Sequence, residues 1–184
     1  LCKDLKLKEV LLSAEPKFDG LAISITYKNG LFESAVTRGD GFAGEDVTAN
    51  VKTIRSLPLI LKGKKIPKTL ILKAEIYMNI DDFNYINLDL KNQNIKQFSN
   101  PRNFAAGTIR QLDPKIASRR NLQIFIHGIT LTDKEIITNS HYRNMKIIKN
   151  YGFKVCEYNE LVKNINEATD YYHRMNQIRS TLPY

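Results

Sequence analysis

Residues 21–30 constrain the fold more than any other stretch of this chain. Leu21, Ile23, Ile25 and Tyr27 alternate with Ala22, Ser24 and Thr26. That is the two-residue period of a strand with one face in a core. Asn29-Gly30 follows directly. Both residue types accept the positive φ of a two-residue hairpin turn, so the chain must reverse and return over about Leu31 to Thr37 as an antiparallel neighbour. A second alternating run extends from Leu70 to Met78. Leu70, Leu72, Ala74, Ile76 and Met78 share one face, and Lys73, Glu75 and Tyr77 share the other.

The remaining patterns supply helices and further strands. Glu45 to Ile54 reads as a helix with acidic residues in its first turn, where the helix dipole favours them. Pro58 and Pro67 bracket a short apolar strand. Asp81 or Asp82 is placed to cap a helix with Phe83, Ile86 and Leu90 at helical spacing. Pro101 opens a helix through about Gln111. Leu122 to Leu131 reads as a strand. His141 to Tyr151 and Glu167 to Arg179 read as amphipathic helices, the first ended by Gly152, with a short strand near Lys154 to Glu157 between them. Strands and helices do not alternate regularly, which excludes a doubly wound parallel sheet. The class is α+β, with mainly antiparallel sheet and flanking helices. A chain of 184 residues can build one such core.

Composition narrows the classes of function. No apolar run approaches a membrane span and no signal-peptide pattern opens the chain, so a cytoplasmic protein with no membrane partner is expected. Cys2 and Cys156 form no paired motif, which excludes a disulfide framework and a cysteine-rich zinc site. No metal ligands are assigned. Lys and Arg number 28 against 19 Asp and Glu, a net charge of +9. That excess suits a polyanionic partner, and it equally describes a solvated, lysine-rich surface. His127 lies in a strand and is expected to be packed. His141 and His173 are given no site, and Tyr171, Tyr172 and Met175 are expected to pack along a helix.

Chemistry concentrates at Glu15-Pro16-Lys17-Phe18-Asp19-Gly20. Pro16 disfavours helix and Gly20 permits a turn, so Lys17 stands on a loop edge, where a nucleophile can reach a ligand. An amine attacks only after losing its proton, and desolvation or a nearby cation favours that loss. Taken alone, this pattern also describes a surface lysine before a turn. Arg38 ends a strand ahead of glycines, which leaves its guanidinium free to meet a phosphate or ribose oxygen. Glu75, in mid-strand, is costly to bury without a partner, which would be Lys73, another cation or a ligand hydroxyl. Arg102 and Arg110, eight residues apart, fall near one face of their helix.

Three blocks extend the pattern. Glu15 to Ser24 resembles the nucleotidyl-transfer motif of bacterial NAD-dependent DNA ligases. So does Ala35-Val36-Thr37-Arg38-Gly39-Asp40-Gly41, followed by Gly44-Glu45-Asp46-Val47-Thr48. A third block is Asn100-Pro101-Arg102-Asn103-Phe104-Ala105-Ala106-Gly107, leading into Arg110-Gln111-Leu112-Asp113-Pro114. It separates this family from ATP-dependent ligases and capping enzymes, which share only the lysine motif. The blocks keep the family's order and spacing over nearly the whole chain.

The resemblance implies a nucleotidyltransferase core of the ATP-grasp-like ligase type. It implies NAD and Mg²⁺ as cofactors, with Lys17 as the nucleophile that takes AMP from NAD and passes it to a nick in duplex DNA during replication and repair. Asp19 is implied beside it in catalysis. Glu15, Arg38 and Glu75 are implied around the nucleotide, and Arg102 and Arg110 on DNA phosphates. A monomer is expected. The sequence departs from the family at Lys73-Ala74, where arginine and glycine are usual, which puts a methyl group beside the pocket glutamate. It departs again at Phe104, where alanine is usual. The Leu1 start, and the end at Tyr184 just where an Asp-Gly-Val-Val-Ile-Lys motif should follow, read as a partial adenylation domain over residues 1–184. The N-terminal domain that binds nicotinamide mononucleotide is missing from this stretch, as are the C-terminal OB-fold, zinc and helix-hairpin-helix domains. Little or no ligation by this chain alone is expected. An ATP-using nucleotidyltransferase, a basic DNA-binding fragment without catalysis, and a fragment unable to fold stably are the other readings.

Overall fold

The computed structural model of the chain describes residues 11–39, 43–133 and 137–184. A short strand β1 (Leu12–Ala14) precedes the hairpin of β2 (Leu21–Lys28) and β3 (Leu31–Thr37). Asn29 at φ 49° and Gly30 at φ 79° make the turn. β4 (Thr69–Met78) pairs antiparallel with the other side of β2, and β5 (Leu122–Thr132) pairs antiparallel with β4. The result is a four-stranded sheet in the order β3-β2-β4-β5.

The alternation read from the sequence decides which face is covered. Ile25, Leu70, Leu72, Ala74 and Ile76 are fully buried. Helices close over them. α1 (Thr48–Val51) contributes Val51; α3 (Pro101–Ile109) contributes Phe104, Ala105 and Ile109; α5 (His141–Asn150) contributes Met145 and Ile148. Each of the larger side chains contributes about 1.5–3 kcal/mol when fully buried, so this face dominates the folding energy. α2 (Ile80–Asn92) and α4 (Pro114–Ser118) flank α3, and the chain ends in β6 (Glu160–Val162) and α6 (Ile165–Ile178). The opposite sheet face carries Ser24, Lys73, Glu75 and His127, none of them buried.

Several boundaries differ from the sequence reading, each for a local reason. Residues 45–47 do not begin a helix. Thr37 donates its N–H to the Glu45 carbonyl, Val47 donates to Ala35, and Asp46 bridges Val36. The open edge of β3 captures them, and only Thr48–Val51 remains helical. Between Pro58 and Pro67 there is one bridge, Leu31 to Ile60, rather than a strand. Asp81 and Asp82 lie inside the first turn of α2, whose N-cap is Asn79. Lys154 to Glu157 makes a single parallel bridge, Val155 to Ile126, and no strand. The sequence reading missed β1 and β6, which pair with each other as a separate two-stranded sheet. It also missed α4 and the start of α6 behind its Asn164 cap, where Asn164 Oδ1 accepts from the Glu167 N–H. Tyr171 is buried as expected, but Tyr172 is 63% exposed rather than packed. Cys156 is a free, buried thiol; Cys2, Asp40 and Gly41 lie outside the described residues.

α3 stops at Ile109 instead of reaching Gln111 because another side chain takes its last carbonyls. The Asn50 Nδ2 donates to the carbonyl of Ile109 at 2.6 Å and to that of Gln111 at 2.7 Å. Asn50 is itself buried. The buried carbonyl at the end of α3 and that of Gln111 just beyond it are thereby satisfied. Asn50→Ala is expected to lower unfolding stability by about 2–4 kcal/mol. Urea unfolding measures this, and a loss below about 0.5 kcal/mol would show that water replaces the amide without cost.

Candidate active site

The six residues 15–20 join the small β1–β6 sheet to the large one. Phe18 anchors the middle of the loop. Its ring lies 4.4 Å from Phe125 and 4.7 Å from Tyr184, and Tyr77 stacks on Phe125 at 4.9 Å. These rings occupy the sheet face opposite the core. With Phe18 turned inward, its neighbours Lys17 and Asp19 are exposed.

Gly20 closes the loop against β4. A Cβ there would come within 2.2 Å of the Ile76 carbonyl oxygen and 2.9 Å of the Glu75 Cγ, so only glycine fits. This close approach lets Gly20 donate its N–H to Glu75 Oε1 at 3.1 Å. The other carboxylate oxygen faces His127 Nε2 at 3.9 Å. Glu75 is thus held by a backbone amide with an imidazole facing it, and among the described residues no ion pair with Lys73 forms. Burial raises the Glu75 carboxyl above its ordinary value, while the Gly20 amide, His127, Arg102 and Lys17 pull it down.

The other two acids are also engaged. Asp19 Oδ1 accepts from Arg102 Nη1 at 3.0 Å. Glu15 Oε1 lies 2.6 Å from His141 Nε2 and accepts from the Ser13 hydroxyl at 3.1 Å. Lys17 therefore stands among three carboxylates, each fixed by a partner from elsewhere in the chain. Arg38, at the end of β3, donates its N–H to the Ala22 carbonyl and leaves its side chain exposed. It lines a cavity of about 630 Å³ together with Lys73, His127, Ser24 and Thr130.

The structure brings Lys17, Asp19, Glu75 and Arg102 together and sets Glu15 beside them. It does not pair Arg102 with Arg110. Arg110 is the C-cap of α3, and its Nε donates to Glu45 Oε2, whereas Arg102 reaches Asp19. His127, expected to be packed, is 38% exposed and faces Glu75. Its signal was present in the sequence: Leu122, Ile124 and Ile126 face the core, so strand alternation turns Phe125 and His127 to the face of Glu75. His141 had no such signal, because it meets Glu15 through tertiary folding alone. Ala74 is fully buried on the core face, so its methyl group lies away from Glu75. Phe104 is also a core residue, 4.7 Å from the Phe98 ring, and offers no surface for contact.

Comparison with known proteins places the chain in a family. Residues 2–184 match the family model described as the NAD-dependent DNA ligase adenylation domain. A DNA ligase of Dehalococcoides mccartyi (strain ATCC BAA-2266 / KCTC 15142 / 195) is 39% identical over 173 residues, 94% of this chain and 25% of that protein. A DNA ligase of Buchnera aphidicola subsp. Cinara cedri is 43% identical, over 91% of this chain and 29% of the relative. One from Francisella tularensis subsp. novicida is 41% identical, over 96% and 26%. The chain spans about a quarter of the length of these relatives.

The raised Glu75 carboxyl has a consequence for stability. An acid whose value is raised on folding contributes stability that is fully present below its unfolded value, here 4.5, and lost as pH rises through the folded value. Glu75→Gln keeps an acceptor for Gly20 and never ionises. Relative to the wild type, this variant is expected to gain stability between about pH 4 and pH 8. Urea unfolding at both pH values tests this, and a relative loss of stability over that interval would reverse the assignment.

Proposed function

The chain belongs to the family of NAD-dependent DNA ligase adenylation domains, and on that premise we propose that Lys17 is the residue that takes AMP from NAD. The observation that carries the reading is the Lys17 loop itself: an exposed lysine directly before a ring anchor, Phe18, and three residues before a glycine bonded to Glu75. Anchors this close fix the backbone from which the Lys17 amine reaches out, which favours in-line attack on phosphorus.

In the proposed step the free amine of Lys17 attacks the α-phosphorus of NAD. A P–N bond forms, the P–O bond to the nicotinamide half breaks, and nicotinamide mononucleotide leaves with the electron pair. The amine proton goes to solvent. The cavity of Arg38, Lys73 and His127 offers cationic groups and hydroxyls suited to phosphate and ribose oxygens. Glu75, fixed by Gly20, suits a ribose hydroxyl, and Glu15, fixed by His141, borders the same loop. Magnesium, when bound, neutralises phosphate charge. Among the described residues no three of His, Cys, Asp and Glu gather as a cage, and Glu15, Asp19 and Glu75 are already engaged. Asp19, exposed beside Lys17, is the carboxylate that would face such an ion.

The polymer partner we propose is nicked duplex DNA, which would receive AMP on its 5′-phosphate. The net charge of +9 supports a polyanionic partner. Arg102 fits a role between nucleotide and DNA, since its guanidinium already reaches Asp19 beside Lys17. Arg110 fits a backbone contact further along. Among the described residues no helix is long and apolar enough to cross a membrane.

Incubation with Mg²⁺ and NAD labelled in its adenylate half tests the first step. Acid-labile label is expected on Lys17, with nicotinamide mononucleotide released in equal amount, and Lys17→Ala should reduce label to background. Label no higher than that background, in a chain shown by circular dichroism to be folded, would overturn the reading. Label drawn from ATP with pyrophosphate release would replace NAD by ATP as the donor.

A further inference from the structure

A second cationic site lies away from Lys17, where the segment after α1 meets the connection between α4 and β5. A cavity of about 210 Å³ opens there, with Arg55, Arg119 and Arg120 converging on it and no Asp or Glu in its lining. Asp82, on the neighbouring helix, is engaged by the Asn121 amide at 2.8 Å. Among the described residues none of the three arginines joins an ion pair. We propose that this cavity binds a phosphodiester of duplex DNA at a distance from the strand break.

Arg120 forms the floor of the site. Its Nη1 donates to the Thr108 hydroxyl at 2.9 Å, and its guanidinium carbon lies 4.5 Å from the centroid of the Phe104 ring. Thr108 and Phe104 are fully buried, so they fix the plane of the fork. Burial pushes the guanidinium below its ordinary value, with no acid acting to restore it. A half-buried cation without a carboxylate is costly unless an anion comes to it. Packing on Phe104 accounts for Arg120, but not for two more arginines converging on the same cavity. The hydroxyls of Thr53 and Ser118 are spent on backbone carbonyls, so the donors left for a ligand are guanidinium N–H groups. Such forks match the paired oxygens of a phosphate.

The surroundings favour a polymer over a free ion. Three residues before Arg55, Lys52 lines the neighbouring cavity, whose other cation, Arg110, is engaged by Glu45. Lys52 and Arg55 are both exposed on one short segment. A duplex presents phosphates in a row and can meet Lys52 as well as the arginine cavity, whereas a single inorganic phosphate occupies one site.

This inference rests on the reading that duplex DNA is a partner, and its test is separate from that of Lys17, which needs no DNA. Binding of a fluorescein-labelled, unbroken duplex is followed by anisotropy over a range of salt concentrations. The double variant R55Q/R119Q changes two exposed residues and leaves the Arg120 floor in place. It is expected to weaken binding about tenfold at low salt and to reduce the slope of log K against log salt by about 1. K64Q/K65Q removes the same charge from a loop outside the cavity and is expected to leave both values near wild type. Equal losses in the two double variants would overturn the proposal, as would no loss in R55Q/R119Q or no duplex binding by the wild type. A parallel titration with inorganic phosphate alone separates the two sources of the anion. Loss of phosphate binding in R55Q/R119Q with unchanged duplex affinity would mean a free-anion site and would also overturn it.

Discussion

The site depends on one backbone hydrogen bond, from the Gly20 N–H to Glu75. It exists because glycine has no Cβ. Any other residue would meet the Ile76 carbonyl and hold the loop away from β4. With the bond formed, Glu75 gains a fixed orientation, and Lys17 is held three residues from a rigid strand. Phe18 supplies the second anchor by inserting among Tyr77, Phe125 and Tyr184. Two anchors within three residues leave the lysine little freedom of placement, although it is exposed.

The acids around Lys17 share a design. Each is held by a group from a distant part of the chain: Glu15 by His141, Asp19 by Arg102, Glu75 by Gly20 with His127 beyond. The same partners set the spacing of the acids before any nucleotide arrives, so little ordering is left to the binding step.

Much of this was legible in the sequence, and the limits have physical causes. The hairpin at Asn29-Gly30 and the two faces of β4 follow from strand period and turn chemistry, and both are found as read. Lys17, Asp19 and Glu75 fall together because one loop and one strand carry them. The sequence reading failed where a partner outside the local pattern decided the outcome. Residues 45–47 look helical by composition, yet the open edge of β3 draws them into an extended pairing. The end of α3 was misplaced because Asn50, about sixty residues earlier, takes its carbonyls. β1 and β6 are three residues each, too short for any period to show. His141 reached Glu15 by tertiary folding, which no spacing records.

The pairing of β1 with β6 also bears on the order of events in folding. Leu12 faces Val162, a separation of 150 residues. The hairpin of β2 and β3, by contrast, closes over a few residues. Contacts so distant in sequence carry the largest loop-closure cost and form late. During synthesis, the Gly20 end of the lysine loop can dock as soon as β4 has been made. The Glu15 end waits for residues 160–162, almost the whole of this stretch. Lys17 is therefore braced on both sides only once residues 160–162 have been made, and until then its loop lacks half of the frame that holds it.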